Sequence, residues 1–275
     1  MSLPTVNLNG IEIHVIDVGE GPQTVVFSHG LLWSHHMFEP QIAALKNRYR
    51  CVAWDHRGQG QSEAPPAKIY TIEENYEDAV RLLEHLDLGP VHFVGLSMGG
   101  FVGMRLAARR PDLIRSLTLI ATAADPEPRE NRPKYRRLSW VVRIFGVIDL
   151  LAKQVLPILF GQTFLQDPDK TEVRDRWVRH LKQNSRTIYR AVHGVIEREG
   201  VTAELRNIQA PTLVLRGTED VAIAEHRSRA LAAGIRDAVF TAIPGAGHSA
   251  TIEQPEQVNA AILAFLAKRD SVDRQ

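Results

Sequence analysis

One serine of this chain lies in a pattern that can turn its hydroxyl into a nucleophile. Ser97 is the centre of GLSMG, a G-x-S-x-G pattern that follows the strand-like run VHFV and precedes a helix-like segment. A serine hydroxyl attacks a carbonyl only when a base takes its proton and nearby donors stabilise the oxyanion. A sharp strand-to-helix turn exposes the hydroxyl and directs backbone N–H groups to the same point. We therefore predict that Ser97 is a catalytic nucleophile.

The acid and the base that such a serine needs follow later in the chain. Asp220 comes just after the strand-like run PTLVLRG, and His248 lies in the glycine-rich loop after AVFTAI. The order Ser97, Asp220, His248 is the order expected for this type of turn. Asp125 also follows a strand-like run and is an alternative acid, but the prolines after it indicate the start of an insertion. We favour Asp220 for that reason.

The elements that must hold these residues alternate along two blocks of the chain. A hairpin signal at Asn9-Gly10 opens the first block, and a capping box at Thr71 marks the start of a helix within it. The alternation predicts an α/β fold, with a mostly parallel sheet and helices on both faces. Residues 123–207 carry prolines, charges and long helix-like stretches without a convincing strand. We predict a core domain of residues 1–122 and 208–275 and a helical insertion of residues 123–207.

Composition narrows the class of partner. Of the 275 residues, 33 are basic and 32 acidic, and the net charge of +1 gives no electrostatic reason to expect nucleic acid or an anionic membrane. The single cysteine, Cys51, excludes a disulfide framework and a cysteine-based zinc site. The first ten residues lack the pattern of a signal peptide, and charges interrupt the apolar window 140–160. A cytoplasmic protein without a membrane span is expected.

With these motifs, the chain resembles the α/β-hydrolase superfamily, in particular its esterase, lactonase and cofactor-free haloperoxidase-like members. The resemblance runs from Val25 to Leu266 and includes FSHGLLWSHHMF after the third strand and DHRGQGQS after the fourth. It implies an eight-stranded sheet and a helical cap at residues 123–207. It also implies that the pair His29-Gly30 opens the oxyanion loop, and that the backbone N–H groups of Leu31 and Met98 bind the oxyanion.

Other branches of the same superfamily fit the sequence less well. Haloalkane dehalogenases and epoxide hydrolases have aspartate where this chain has Ser97, and dienelactone hydrolases have cysteine there. Carbon–carbon bond hydrolases usually have a more glycine- and proline-rich run after the third strand, and 3-oxoadipate enol-lactonases often carry Asn-Ser in place of His29-Gly30. Those two activities remain open but are not favoured. The chain also has Ala224 where the family often has a proline after the acid, which concerns the start of a helix and not the chemistry.

The resemblance implies a serine hydrolase that cleaves small to medium carboxylic esters or lactones through an acyl-enzyme. A cofactor-free perhydrolase or haloperoxidase and a receptor-like ligand-binding protein are alternatives on the same fold. No cofactor is needed and no metal is expected, because His35-His36 lacks carboxylates at ligand spacing. The partner is then a small-molecule ester or lactone. Candidates for the pocket wall are His29, Gly30, Trp33, His36, Trp140, Phe145 and Phe164.

Overall fold

The computed structural model describes residues 5–8 and 10–272, with side chains described up to residue 269. One eight-stranded sheet has the order β1-β2-β4-β3-β5-β6-β7-β8. The first two strands pair antiparallel with their neighbours, and the remaining pairs are parallel, which confirms the predicted mostly parallel sheet. The strands are β1 (Thr5–Leu8), β2 (Ile11–Val18), β3 (Thr24–Ser28), β4 (Arg50–Trp54), β5 (Val91–Leu96), β6 (Ile114–Ile120), β7 (Thr212–Gly217) and β8 (Val239–Ile243).

Helices cover both faces of the sheet. Alternate residues of β3 enter different hydrophobic clusters, Val25 and Phe27 one and Val26 the other, because successive side chains of a strand point to opposite faces. A parallel sheet covered in this way is buried on both sides. The α-helices are α1 (Glu39–Leu45), α2 (Ile72–His85), α3 (Met98–Arg109), α4 (Arg132–Phe145), α5 (Asp149–Leu159), α6 (Gln162–Gln166), α7 (Thr171–Lys182), α8 (Tyr189–Ile196), α9 (Glu225–Gly234), α10 (Ala250–Glu253) and α11 (Pro255–Val272).

Local signals in the sequence set two of these boundaries. Strands β1 and β2 form an antiparallel hairpin, and Gly10 at its turn has a φ of 80°, whereas Asn9 of the predicted turn lies outside the described residues. Helix α2 begins with the predicted capping box. The Glu74 N–H donates to Thr71 Oγ1 at 3.1 Å, and the Thr71 N–H donates to the Glu74 carboxylate at 2.7 Å.

The long segment between β6 and β7 is helical. It contains α4 to α8 and short 3-10 helices, and no strand occurs between residues 121 and 211, all of which the structure describes. The segment lies against the core: the backbone N–H of Tyr70, just before α2, donates to the Arg190 carbonyl of α8 at 3.1 Å. A search of the described residues for a helix with the length and apolar character of a membrane span found none.

Candidate active site

Ser97 occupies a strained turn between β5 and α3. Its φ of 51° and ψ of −107° lie in a region that residues other than glycine rarely adopt. Hydrogen bonds hold the residue on both sides: its N–H donates to the Ile120 carbonyl at 2.8 Å, and the Thr122 hydroxyl donates to the Ser97 carbonyl at 2.9 Å. The turn directs the side chain into a cavity whose wall includes Ser97.

The glycines of the pattern allow the strand and the helix to approach each other closely. A Cβ atom added at Gly99 would lie 1.9 Å from the Ser28 carbonyl oxygen of β3. One added at Gly95 would lie 2.4 Å from the carbonyl oxygen of Gly99. Both contacts are impossible for a side chain, so the local geometry requires glycine at these positions.

His248 and Asp220 are hydrogen-bonded to each other beside this turn. His248 Nδ1 lies 3.1 Å from Asp220 Oδ2 and 3.2 Å from Oδ1. The buried Asp220 carboxylate also accepts the backbone N–H groups of Ala222 at 2.9 Å and Ile223 at 3.0 Å. A carboxylate only accepts, so Nδ1 of His248 carries the hydrogen and Nε2 is left with a free lone pair.

The pKa of His248 reflects two opposing effects. Burial alone lowers the pKa of this imidazole, but the negative charge and the hydrogen bond of Asp220 raise it more, with smaller contributions from Glu253 and Glu127. The net result is a pKa above the usual 6.5. This direction brings the pKa of the imidazole closer to neutral pH, where one group can both accept a proton and return it.

Two segments carry the predicted oxyanion donors, the backbone N–H groups of Leu31 and Met98. The His56 N–H donates to His29 Nε2 at 2.9 Å, so the hydrogen of this imidazole is on Nδ1, which donates to the Gly30 carbonyl at 2.8 Å. The Trp33 N–H donates to the same carbonyl at 3.2 Å. In a trans peptide the following N–H, that of Leu31, points the opposite way. Met98 is the first residue of α3, so its N–H has no acceptor within the helix.

Sequence reasoning missed Gln59, which connects these two loops. Leu32 has a φ of 72°, and its N–H donates to Gln59 Oε1 at 3.0 Å. The Gln59 amide in turn donates to the sulfur of Met98 at 3.7 Å. Asn184 of the helical segment donates to the Leu32 carbonyl at 2.9 Å. Gln59 lies in the DHRGQGQS loop, and that loop is the one signal in the sequence that pointed to it.

A cluster of possible metal ligands lies at the DHRGQGQS loop. The ligand atoms of His14, His35 and Asp55 lie within 4.8 Å of one another, and all three residues are buried. The Asp55 carboxylate, however, already accepts the N–H and the imidazole of His35 at 2.7 and 2.9 Å and the N–H of Gln61 at 2.9 Å. The cluster is therefore accounted for as a hydrogen-bond network that holds the DHRGQGQS loop.

Asp125, the alternative acid, and Glu219, which precedes Asp220 in the chain, have other partners. Asp125 pairs with Arg227, whose Nε lies 2.9 Å from the carboxylate. Glu219 accepts the backbone N–H of Thr163 at 2.8 Å. Of the three acids, Asp220 is hydrogen-bonded to His248.

The cavity at Ser97 has a volume of about 150 Å³, and its wall differs from the predicted one. Ser97 and His248 both line it, together with Leu31 of the predicted oxyanion loop. Aliphatic side chains of the helical segment supply most of the remainder. The lining residues are Leu31, Leu32, Ser97, Phe101, Glu127, Tyr135, Leu138, Ser139, Val142, Leu151, Val155, Ile158, Leu159, Val192, Val195, Ile196, Arg198, Ala222, Ile223 and His248.

The structure places the aromatic wall candidates of the helical segment elsewhere. Trp140 and Phe145 are each 59% exposed, on a side of α4 that does not face the cavity. Phe164 is buried and stacks on Phe160 with ring centres 4.9 Å apart.

The pocket-wall candidates from the predicted oxyanion loop, His29, Gly30, Trp33 and His36, also lie outside the cavity wall, whereas Leu31 of that loop lines it. Trp33 packs against Phe160 and Trp177, and its indole N–H donates to Ser249 at 3.2 Å. His36 Nδ1 lies 2.7 Å from a Glu39 oxygen. His29 and Gly30 are buried, and the His29 imidazole is hydrogen-bonded to the Gly30 carbonyl.

An eight-stranded, mostly parallel sheet with a serine turn after β5, and with an acid and a histidine after later strands, defines an α/β hydrolase. The family model described as alpha/beta hydrolase fold matches residues 23–255, and the chain belongs to this family. It is thus a hydrolase by family.

Three relatives make the similarity more specific. A protein of Caulobacter sp. (strain K31) with the provisional name carbamate hydrolase is 29% identical over 247 residues, which are 89% of this chain and 91% of that protein. A thermophilic esterase from Thermogutta terrifontis is 30% identical with a TM-score of 0.88, covering 97% of both chains. The enol-lactonase from Burkholderia xenovorans LB400 is 30% identical with a TM-score of 0.88, and the match covers 96% of this chain and 100% of that one.

Proposed function

We propose that this hydrolase cleaves carboxylic esters or lactones through an acyl-enzyme on Ser97. The observation that supports this most directly is the His248–Asp220 pair, which holds the imidazole with Nε2 free on the cavity wall that also contains Ser97. The names of the esterase and enol-lactonase relatives favour the same substrate class.

In the proposed reaction, His248 Nε2 takes the proton of the Ser97 hydroxyl as the oxygen attacks the substrate carbonyl. The carbonyl oxygen becomes an oxyanion, and the N–H groups of Leu31 and Met98 stabilise it. The C–O bond to the alcohol breaks as His248 returns the proton to the leaving oxygen. Water then attacks the acyl-enzyme with His248 again as the base, and the acid and free Ser97 are released. Asp220 keeps the imidazole in the required tautomer and stabilises its cation.

Residues 123–207 serve in this proposal as the cap over the reacting groups. Their helices supply most of the cavity wall, and that wall excludes water from around the acyl group. The oxyanion loop is held from the same side, through the contact of Asn184 with Leu32.

The test is the substitution Ser97→Ala. We expect normal folding and a loss of at least ~1000-fold in hydrolysis of p-nitrophenyl esters, the scale for losing a member of a triad. A fluorophosphonate should label the unmodified protein once, on Ser97, and leave the variant unlabelled. Ser185→Ala changes an exposed serine outside the cavity and serves as the control. Turnover retained in Ser97→Ala would remove the proposal.

Carbamate cleavage is a second candidate, because the Caulobacter relative carries that provisional name. It needs the same attack on a carbonyl, with an amine or ammonia in place of the alcohol as the leaving group. Release of p-nitrophenol from a p-nitrophenyl ester and release of ammonia from an N-unsubstituted alkyl carbamate, compared as kcat/KM, decide between the two substrates.

A further inference from the structure

A buried ion pair is part of the wall of the cavity at Ser97. Arg198 Nη1 lies 3.0 Å from Glu127 Oε2, and these residues are 5% and 7% exposed. The guanidinium carbon lies 4.1 Å from the centre of the Phe101 ring, and Nη1 also donates to the Val195 carbonyl at 2.7 Å. Both charged residues line the cavity, so a bound ligand meets this pair.

The positive charges in and near this part of the cavity wall are each paired with a carboxylate. Of the described residues that line the cavity, Arg198 is the only lysine or arginine. Burial lowers the pKa of Arg198 to about 10, so it remains a cation at neutral pH, and Glu127 neutralises it. The next cation, Arg227, is paired with Asp125 at 2.9 Å. A ligand carboxylate that enters the cavity would therefore be repelled by Glu127. Arg198 and Arg227 would not compensate, because each is already paired with a carboxylate of the protein.

The rest of the cavity suits a hydrocarbon chain. Leu138, Val142, Leu151, Val155 and Val192 present aliphatic surface from three different helices of the cap. The cavity has a volume of about 150 Å³. An apolar cavity of this size can hold benzene, a molecule of six carbons.

With the ester hydrolysis proposed above as its basis, we propose that the cavity holds an uncharged aliphatic acyl chain of about six carbons, and that Glu127 excludes carboxylated chains by neutralising Arg198. The acyl group is the occupant because it stays bonded to Ser97 through both halves of the reaction, whereas the alcohol must leave and water must enter. Glu127 is thus a specificity-determining residue of the site.

The experiment compares three esters of equal reactivity at the carbonyl: p-nitrophenyl hexanoate, mono-p-nitrophenyl adipate and its methyl ester. The last two have the same chain and differ at its far end by the charge and by one methyl group. We expect kcat/KM for the charged adipate to be at least ~100-fold below that for the two neutral esters, since a carboxylate buried without a cation loses several kcal/mol of hydration. A charged adipate within about threefold of the neutral esters overturns the proposal.

The matched variants are Glu127→Gln and Glu130→Gln, which remove the same charge from neighbouring positions. Glu127 faces the cavity and Glu130 is exposed. We expect Glu127→Gln to raise kcat/KM for the charged adipate relative to hexanoate by ~10-fold or more, because Arg198 then becomes available to a substrate carboxylate. Glu130→Gln should leave the ratio unchanged. An unchanged ratio in a folded Glu127→Gln, checked by circular dichroism, overturns the role of Glu127.

Loss of one partner of a buried ion pair is strongly destabilising, so Glu127→Gln can fail to fold. The comparison of the three esters in the unmodified protein does not depend on that variant. Failure of the proposed function has a different signature: hexanoate turnover would then persist in Ser97→Ala. If turnover depends on Ser97 but the charged adipate is preferred, ester hydrolysis stands and the inference about the chain falls.

Discussion

His29 and His248 are both buried and hydrogen-bonded, yet their surroundings move the pKa in opposite directions. Burial lowers the pKa of His29 to about 4, and the N–H of His56 occupies the nitrogen that would take the proton. Asp220 raises the pKa of His248 instead. One imidazole is thereby fixed as a neutral support of the Gly30 carbonyl, and the other is prepared to accept a proton.

The pH dependence of kcat/KM tests the second imidazole. The base must be neutral in the free enzyme, and its pKa lies above 6.5, so kcat/KM should fall as the pH drops through a midpoint above that value. Asp220→Asn removes the charge that raises the pKa, so its midpoint should move down, and kcat should fall by up to ~10⁴-fold. Initial rates with p-nitrophenyl hexanoate measure both effects. Asp125→Asn, in the rival acid, should keep the original midpoint, and an unshifted midpoint in Asp220→Asn would contradict the assignment.

Gln59 contacts both segments that carry the predicted oxyanion donors, through the Leu32 N–H and the Met98 sulfur. We expect Gln59→Leu to lower kcat ~10- to 100-fold with little change in KM. The Leu32 N–H and the Met98 sulfur would lose their common partner, so the backbone N–H groups of Leu31 and Met98 would be held less firmly. Gln61→Leu alters an exposed side chain of the same loop and keeps the backbone contact to Asp55, so it is the matched control. A rise in KM without a fall in kcat would show that Gln59 acts on ground-state binding instead.

Among the secondary-structure elements, the nucleophile turn depends on close backbone packing. Gly99→Ala should lower the free energy of unfolding by ~2 kcal/mol or more, since its Cβ would lie 1.9 Å from the Ser28 carbonyl oxygen. Gly89→Ala meets nothing within 4 Å and should change stability by less than ~1 kcal/mol. Urea denaturation of both variants provides the measurement. Equal midpoints would mean that the turn tolerates a side chain and that the glycine pattern has another cause.

The strands could be predicted from sequence because their signals are local, and signals of the same kind select Ser97, Asp220 and His248 as triad candidates. The run TVVFS, a capping box and G-x-S-x-G each fix an element boundary within a few residues, and the chain order of acid and base follows from the turn. The cavity wall could not be predicted in this way. On α4 the lining residues are Tyr135, Leu138, Ser139 and Val142, which form one stripe at helical spacing. The prediction chose Trp140 and Phe145 by residue type, but the orientation of the helix against the core decides which stripe faces inward.

For the molecule as a whole, buried neutral histidines make stability depend on pH. A histidine whose folded pKa lies below its unfolded value stabilises the fold at high pH, and this contribution is lost as the pH falls from 6.5 towards 4. Between about pH 7.5 and about pH 5, His29 alone should cost ~2 kcal/mol. His56, whose pKa burial also lowers, adds to the effect.

Chemical denaturation at the two pH values checks this expectation. His29→Asn keeps an amide donor for the Gly30 carbonyl but cannot gain a proton, so its loss of stability on acidification should be smaller by ~2 kcal/mol. His85→Asn, at an exposed position on α2, should behave like the unmodified protein. Identical pH dependence in all three proteins would exclude His29 as a source of acid sensitivity.

Ser97, Asp220 and His248 follow β5, β7 and β8, whereas the capping helices are spliced in between β6 and β7. The three proposed reacting groups and the helices that line most of the cavity thus belong to separate stretches of the chain. Under the proposed function, replacing the segment between β6 and β7 would alter the preference for the acyl chain and leave Ser97, Asp220 and His248 in their places.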